Sequence, residues 1–175
     1  MMIRNLFIVL FLLVLTQISF CVTNKFTVSV ISKMDVLYDE GLNHYRGLGM
    51  PTNHTLALQC FMAAGKLGHT DACHKVGWIY NNSSTVSQDV DKAILWYEKA
   101  SAMGLAKSMH NLGHIYHYKK KYSDYQKAEE WYHKAIDKNF VSALYSTGKL
   151  MEGIGDDDLA EYYHLRAAKK GYAPA

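Results

Sequence analysis

The chain repeats itself, and a repeat of this length dictates an architecture before any single residue is considered. Gly41, Gly77, Gly113 and Gly148 recur at steps of 36, 36 and 35 residues, and Ala57, Ala93, Ala128 and Ala160 at steps of 36, 35 and 32. Ala64, Ala100, Ala135 and Ala167 stand seven residues behind the second set in every copy. A unit this small cannot bury its apolar face alone, so neighbouring units must stack and share one core. Composition agrees: of 175 residues 49% are hydrophobic, with only 2 Pro and 12 Gly, which argues for a packed fold and against a disordered or collagen-like one. Nineteen Lys and Arg stand against 16 Asp and Glu, the signs interleaved and the net charge +3, so nucleic acid is not expected among the partners.

Two helices per copy explain the spacings. The second helix reads ALQCFMAAGKLG, AILWYEKASAMG, AEEWYHKAIDKN and AEYYHLRAAKKG. Ala at i and i+7, flanking large residues at i+3 and i+4, places methyls and rings on nearly one face. Gly68, Gly104, Asn139 and Gly171 close these helices as left-handed caps. A first-type helix then begins near Ala72, Ser108 or Ala143 and carries its Gly five residues later, where a side chain would obstruct the partner helix. Loops such as NNSSTVSQ and KKKYSD join the pair, with Asp89, Asp91 or Asp124 placed to cap the next helix. Lys119, Lys120 and Lys121 read as a solvated loop tip, and Asp156, Asp157 and Asp158 as a helix start.

These motifs resemble the Sel-one-like repeat, a relative of the tetratricopeptide repeat. Copy two carries them as ACHKVGWIY, DKAILWYEKA and a closing Gly, and copy three as HNLGHIY and QKAEEWYHKA. Copies one and four depart, with Cys60-Phe61 and Tyr162-Tyr163 at the Trp-Tyr place and Glu40 and Thr147 before the Gly. The resemblance implies an all-α fold, a right-handed α-solenoid (alpha-alpha superhelix) of about four helix-turn-helix repeats over residues 36–71, 72–107, 108–142 and 143–175, the first acting as an N-terminal cap. At GYAPA the first helix of a fifth copy would begin, so the last interface is expected to be covered by a partner or by further repeats. It also implies the family's usual role, a scaffold or adaptor for other proteins, with no cofactor. Luminal relatives serve as adaptors in endoplasmic-reticulum quality control. A cysteine-rich secreted branch, including penicillin-binding or β-lactamase-like hydrolases, pairs cysteines about eight residues apart; here Cys73 matches the second position but Gly65 holds the first.

In tetratricopeptide-like arrays the first-type helices line a concave groove. Carried over by position, the groove residues are Tyr38, Leu42 and Tyr45; His74, Trp78 and Asn81; His110, His114 and His117; and Tyr145, Lys149 and Glu152. Rings with hydrogen-bonding tips suit an extended peptide or a helix; the same rings also serve as packing between adjacent helices. The spacing of His110, His114 and His117 brings three imidazoles to one side of a helix, but no Glu or Cys nearby completes a metal site, and none is assigned. Clustered imidazoles instead predict a groove that gains charge between about pH 5 and 7. No Gly-rich phosphate loop, nucleophile elbow or His-Glu-x-x-His element is present, so neither catalysis nor a small-molecule substrate is expected.

The N-terminus reads differently. Arg4 precedes an apolar run from Leu6 to Leu15, the pattern of a secretory signal peptide over residues 1–21, with cleavage after Cys21. Left uncleaved it would act as a membrane anchor. Residues 22–35 are expected to form an extended leader. Sequons at Asn53, Asn81 and Asn82, all read as loop positions, are candidate glycosylation sites and fit a secreted or endoplasmic-reticulum luminal protein. Cys60 and Cys73 sit at unequal distances from the turn between their helices, which disfavours a bridge.

Overall fold

The computed structural model describes residues 28–49, 51–82 and 87–172. Among them the regular structure is helical throughout: α1 (28–46), α2 (His54–Lys66), α3 (Thr70–Asn82), α4 (Val90–Ala102), α5 (Ala106–Tyr118), a 3₁₀ turn (Lys120–Tyr122), α6 (Tyr125–Asp137), α7 (Val141–Ile154) and α8 (Asp157–Lys169). Each helix packs on the next in order, and the first-type helices α5 and α7 also touch, a closeness that no two second-type helices match. The result is an α-solenoid of stacked helix pairs.

One device recurs in every pair and explains the periodic glycines. A Cβ at Gly41 would stand 2.7 Å from the Phe61 ring, at Gly77 2.7 Å from Tyr97, at Gly113 2.5 Å from Tyr132, and at Gly148 2.5 Å from His164. Each ring therefore lies directly on the backbone of the facing helix, which only glycine permits at these separations. Tyr97, Tyr132 and Phe61 are fully buried, as are Ala57, Ala64, Ala93, Ala100, Ala128 and Ala135, whose small size lets the helices approach. In copy four the large residues at i+3 and i+4 from Ala160 are Tyr163 and His164; Tyr162 points outward and is 51% exposed. The Tyr162-Tyr163 pairing is thus corrected by one residue, because position along the helix counts from the Ala and not from residue type.

The helix ends follow the sequence closely. Asn53, Asp89, Asp124 and Asp156 cap α2, α4, α6 and α8, each side-chain oxygen accepting from a backbone N–H three residues on. Gly68, Gly104, Asn139 and Gly171 adopt φ of 103°, 89°, 59° and 78°. First-type helices start at Thr70, Ala106 and Val141, two residues earlier than the repeat pattern placed them.

Three expectations change. Residues 28–35, assigned to an extended leader, are helical: once Leu37, Tyr38 and Gly41 pack on α2, extending α1 backwards fixes one residue per added turn bond despite its β-branched residues. Asn81 and Asn82, read as loop, form the last turn of α3, where Asn82 Nδ2 donates to the Trp78 carbonyl at 3.1 Å and satisfies a helix-end acceptor. Asp91 does not cap; it accepts from the Tyr122 hydroxyl at 2.8 Å and from Lys121 Nζ at 3.4 Å, which ties the 3₁₀ turn to α4 while Lys120 and Lys121 stay exposed.

Candidate functional site

The first-type helices present three rows of side chains, counted from their glycines, and the structure separates rows that the sequence treated alike. Three residues before the Gly stand Tyr38, His74, His110 and Tyr145, all half-buried. Each packs on the ring that covers the glycine: Tyr38 lies 5.6 Å from Phe61, His74 5.5 Å from Tyr97, His110 5.6 Å from Tyr132 and Tyr145 5.0 Å from His164. The two histidines also reach into the following repeat. His74 Nδ1 is 2.9 Å from Ser108 Oγ, and His110 Nε2 is 2.8 Å from Ser146 Oγ. They are struts between repeats rather than open lining. Burial, reinforced by the charge of Lys75 beside His74 and of His114 beside His110, pushes both imidazoles down to about 4.

The other two rows face outward to differing degrees. Trp78, one residue after its Gly, is 38% exposed and meets Tyr45 edge-on at 6.0 Å, while the Lys75 ammonium lies 5.6 Å from the Tyr45 ring centre. Leu42, at the equivalent place in repeat one, packs against the core of its own pair, and Asn81 is half-buried. His114 is exposed, His117 half-buried, and both lean on Tyr118, at 4.4 and 3.8 Å between ring centres. Their imidazoles are also held below the usual histidine range by burial first, then by Lys119 for His114 and by His114 for His117. The expected groove that charges between pH 5 and 7 loses two of its members, since His74 and His110 are held at about 4, and His114 and His117 are shifted in the same direction. In repeat four the same rows carry Lys149, whose Nζ is 2.8 Å from Glu152 Oε2, and His164 Nε2 lies 2.9 Å from the other carboxylate oxygen.

The site thus runs from rings at Tyr45 and Trp78, through imidazoles and a phenol at repeat three, to an ion pair at repeat four. Tyr118 and His164 belong to it and were not read from the sequence. Tyr118, at 53% exposure, sits five residues after its Gly, outside the three positions carried over as groove residues. His110, His114 and His117 do not converge as metal ligands; among the described residues the one trio of ligand-type side chains with mutually close donor atoms lies elsewhere. Cys60 and Cys73 are free thiols. A Cβ at Gly65 would stand 3.0 Å from Cys73 Sγ, so glycine occupies the place from which the cysteine-rich branch would bridge. Asn53 is exposed as the α2 cap. Residues 1–27 lie outside the described residues, and with them the signal segment. No helix among the described residues is long and apolar enough to cross a membrane.

Comparison with known proteins gives a consistent family picture. The Sel1 repeat model matches four times, over residues 37–69, 70–105, 106–140 and 139–172. No curated protein matches the chain. Among solved structures, a protective antigen of uropathogenic Escherichia coli displaying an SLR fold is 26% identical with a TM-score of 0.72, covering 85% of this chain and 33% of its own. A Sel1 repeat protein from Oxalobacter formigenes is 24% identical with a TM-score of 0.66, covering 78% of this chain and 58% of its own. MamA is 23% identical with a TM-score of 0.60, covering 85% and 84%. The chain spans less than two thirds of the length of the first two; the latter two likenesses speak to fold alone.

Proposed function

The chain belongs to the Sel1 repeat family, a fold that supports protein–protein interaction, and from that premise we propose that it is a non-catalytic scaffold holding a peptide or protein segment across its first-type helices. The observation that carries this reading is the exposed aromatic row: Trp78, His114 and Tyr118 remain open although neighbouring positions on the same helices are sealed. Rings left open side by side on one helix layer supply contact area at low cost in side-chain entropy and support a docking face there. The contact of α5 with α7, which no two second-type helices match, supports reading the first-type helices as the inner layer. With helix axes about 10 Å apart, four first-type helices span about 30 Å, the length of roughly nine extended residues. Such a segment would set an apolar or aromatic side chain against Tyr45 and Trp78 and a charged one near Lys149 and Glu152.

Replacing Trp78 and His114 together by Ala is expected to leave the helical circular-dichroism signal intact, since neither side chain is in the core. It should weaken partner binding at least tenfold. A photo-crosslinking residue at 114 should capture the same partner, and one at exposed Glu98 on α4 should not. Undiminished binding by the double variant would place the contact face elsewhere.

The compartment follows the N-terminal reading. The apolar run from Leu6 to Leu15 supports entry into the secretory pathway, where the scaffold acts as a secreted or luminal protein. N-terminal sequencing of the mature protein is expected to start after Cys21; a chain beginning at Met1 would favour the membrane-anchored form.

A further inference from the structure

Repeat one differs from the others at three positions at once, and the structure brings those three together. The residue before the repeat glycine is Val76, Leu112 or Thr147 in repeats two to four, each fully buried. The residue three after it is Tyr80, Tyr116 or Met151, and the i+3 residue of the second helix is Trp96, Trp131 or Tyr163. In those copies these positions pack on the preceding repeat. A Cβ at Gly65 of repeat one would touch the Trp96 ring at 3.0 Å, Leu112 clusters with Ala93 and Tyr97, and the Tyr163 hydroxyl meets His133 at 2.9 Å. In repeat one the three positions are Glu40, His44 and Cys60, on the N-terminal end of the described array.

Water-facing replacement accounts for Glu40 but not for its companions. Cys60 and His44 are half-buried, and His44 Nδ1 is enclosed without a hydrogen-bond partner, a costly state for an imidazole nitrogen. Glu40 and His44 are four residues apart on α1 and so share a face. The Gly41 contact with Phe61 draws α2 against that face and carries the adjacent Cys60 with it. One donor atom from each of the three lies within 4.8 Å of the other two.

We propose that Glu40, His44 and Cys60 form a three-ligand Zn²⁺ site that ties α1 to α2 at the N-terminal end of the array. Thiolate, imidazole and carboxylate are the donors zinc takes, whereas Ca²⁺ and Mg²⁺ require oxygen shells. Zinc bonds of about 2.0–2.3 Å in a tetrahedron place donors about 3.3–3.8 Å apart, so closing the shell requires contraction of about 1 Å by side-chain rotation, with water in the fourth position. The site is independent of the groove and survives if the groove reading fails.

The test uses the full chain and Co²⁺ as the spectroscopic probe. Expected is one equivalent of Co²⁺ binding with a thiolate-to-metal charge-transfer band in the near ultraviolet, displaced by Zn²⁺. Cys60→Ser should abolish the band, and Cys73→Ser should keep it. His44→Gln and Glu40→Gln should each weaken Zn²⁺ binding at least tenfold, with circular dichroism verifying the fold of each variant. On the unaltered protein, Zn²⁺ should slow alkylation of Cys60 at least tenfold relative to Cys73, read by mass spectrometry, which needs no variant to fold. Absence of the band, its persistence in Cys60→Ser, or unchanged Cys60 alkylation in Zn²⁺ overturns the proposal.

Discussion

Replacing Tyr132 by Ala is expected to destabilise the protein by about 3–5 kcal/mol, the range for deleting a buried aromatic side chain from a core. Tyr132 is fully buried, its ring lies on Gly113, and His110 packs against it at 5.6 Å, so its loss opens a void at the centre of repeat three. In a stacked array each repeat depends on its neighbours, and damage to a middle copy removes two interfaces rather than one. The converse substitution, Gly113→Ala, forces a methyl to within 2.5 Å of the same ring and is expected to cost about 1–3 kcal/mol through overpacking. The informative measurement combines them. Because the Ala methyl would enter the space left by the ring, the double variant in urea unfolding should lose clearly less than the sum of the two single losses. Strict additivity, or a Tyr132→Ala cost below about 1 kcal/mol, would show that the ring-on-glycine contact is not what holds the helix pairs together.

Acid is expected to weaken the fold between about pH 6.5 and 4, through His74 and His110. Both imidazoles are held at about 4 in the folded chain, against an unfolded value of 6.5. The unfolded chain therefore binds more protons in that window, so stability is complete above about 6.5, declines as pH falls, and levels off once both states are protonated near 4. Each site contributes at most about 3 kcal/mol over the window, at 1.36 kcal/mol per pH unit, less what residual solvent access removes. The physical origin is the position of both rings between repeats, bonded to Ser108 and Ser146. His110→Gln can keep a hydrogen bond to Ser146 without a titrating proton, and should flatten the fall in urea midpoint between pH 7 and 4.5. An equally steep decline in that variant would assign the acid sensitivity to other groups.

The same histidines show where sequence reading stops. The groove positions carried over from tetratricopeptide-like arrays treated His74, His110 and His114 alike, which is correct as far as one isolated helix goes. A second-type helix and the next repeat then close over the first two and leave His114 exposed. Nothing within a single helix distinguishes them. Likewise the docking of Lys121 and Tyr122 on Asp91 joins residues about thirty apart, and Tyr162 and Tyr163 differ in burial only because one points at α6 and α7's shared core and the other away.

By itself the amino-acid order determined the helix pairs, their caps and their stacking, because glycine, alanine and bulky rings at fixed intervals leave only one way for the chain to bury its apolar surface. Asp89, Asp124 and Asp156 could be placed on helix starts because capping is a contact between residues three apart. The tertiary structure alone decided which outward-facing side chains stay open and which become struts. It alone brought Glu40 and His44 to Cys60, since those encounters depend on the distance and angle between helices that no local spacing encodes.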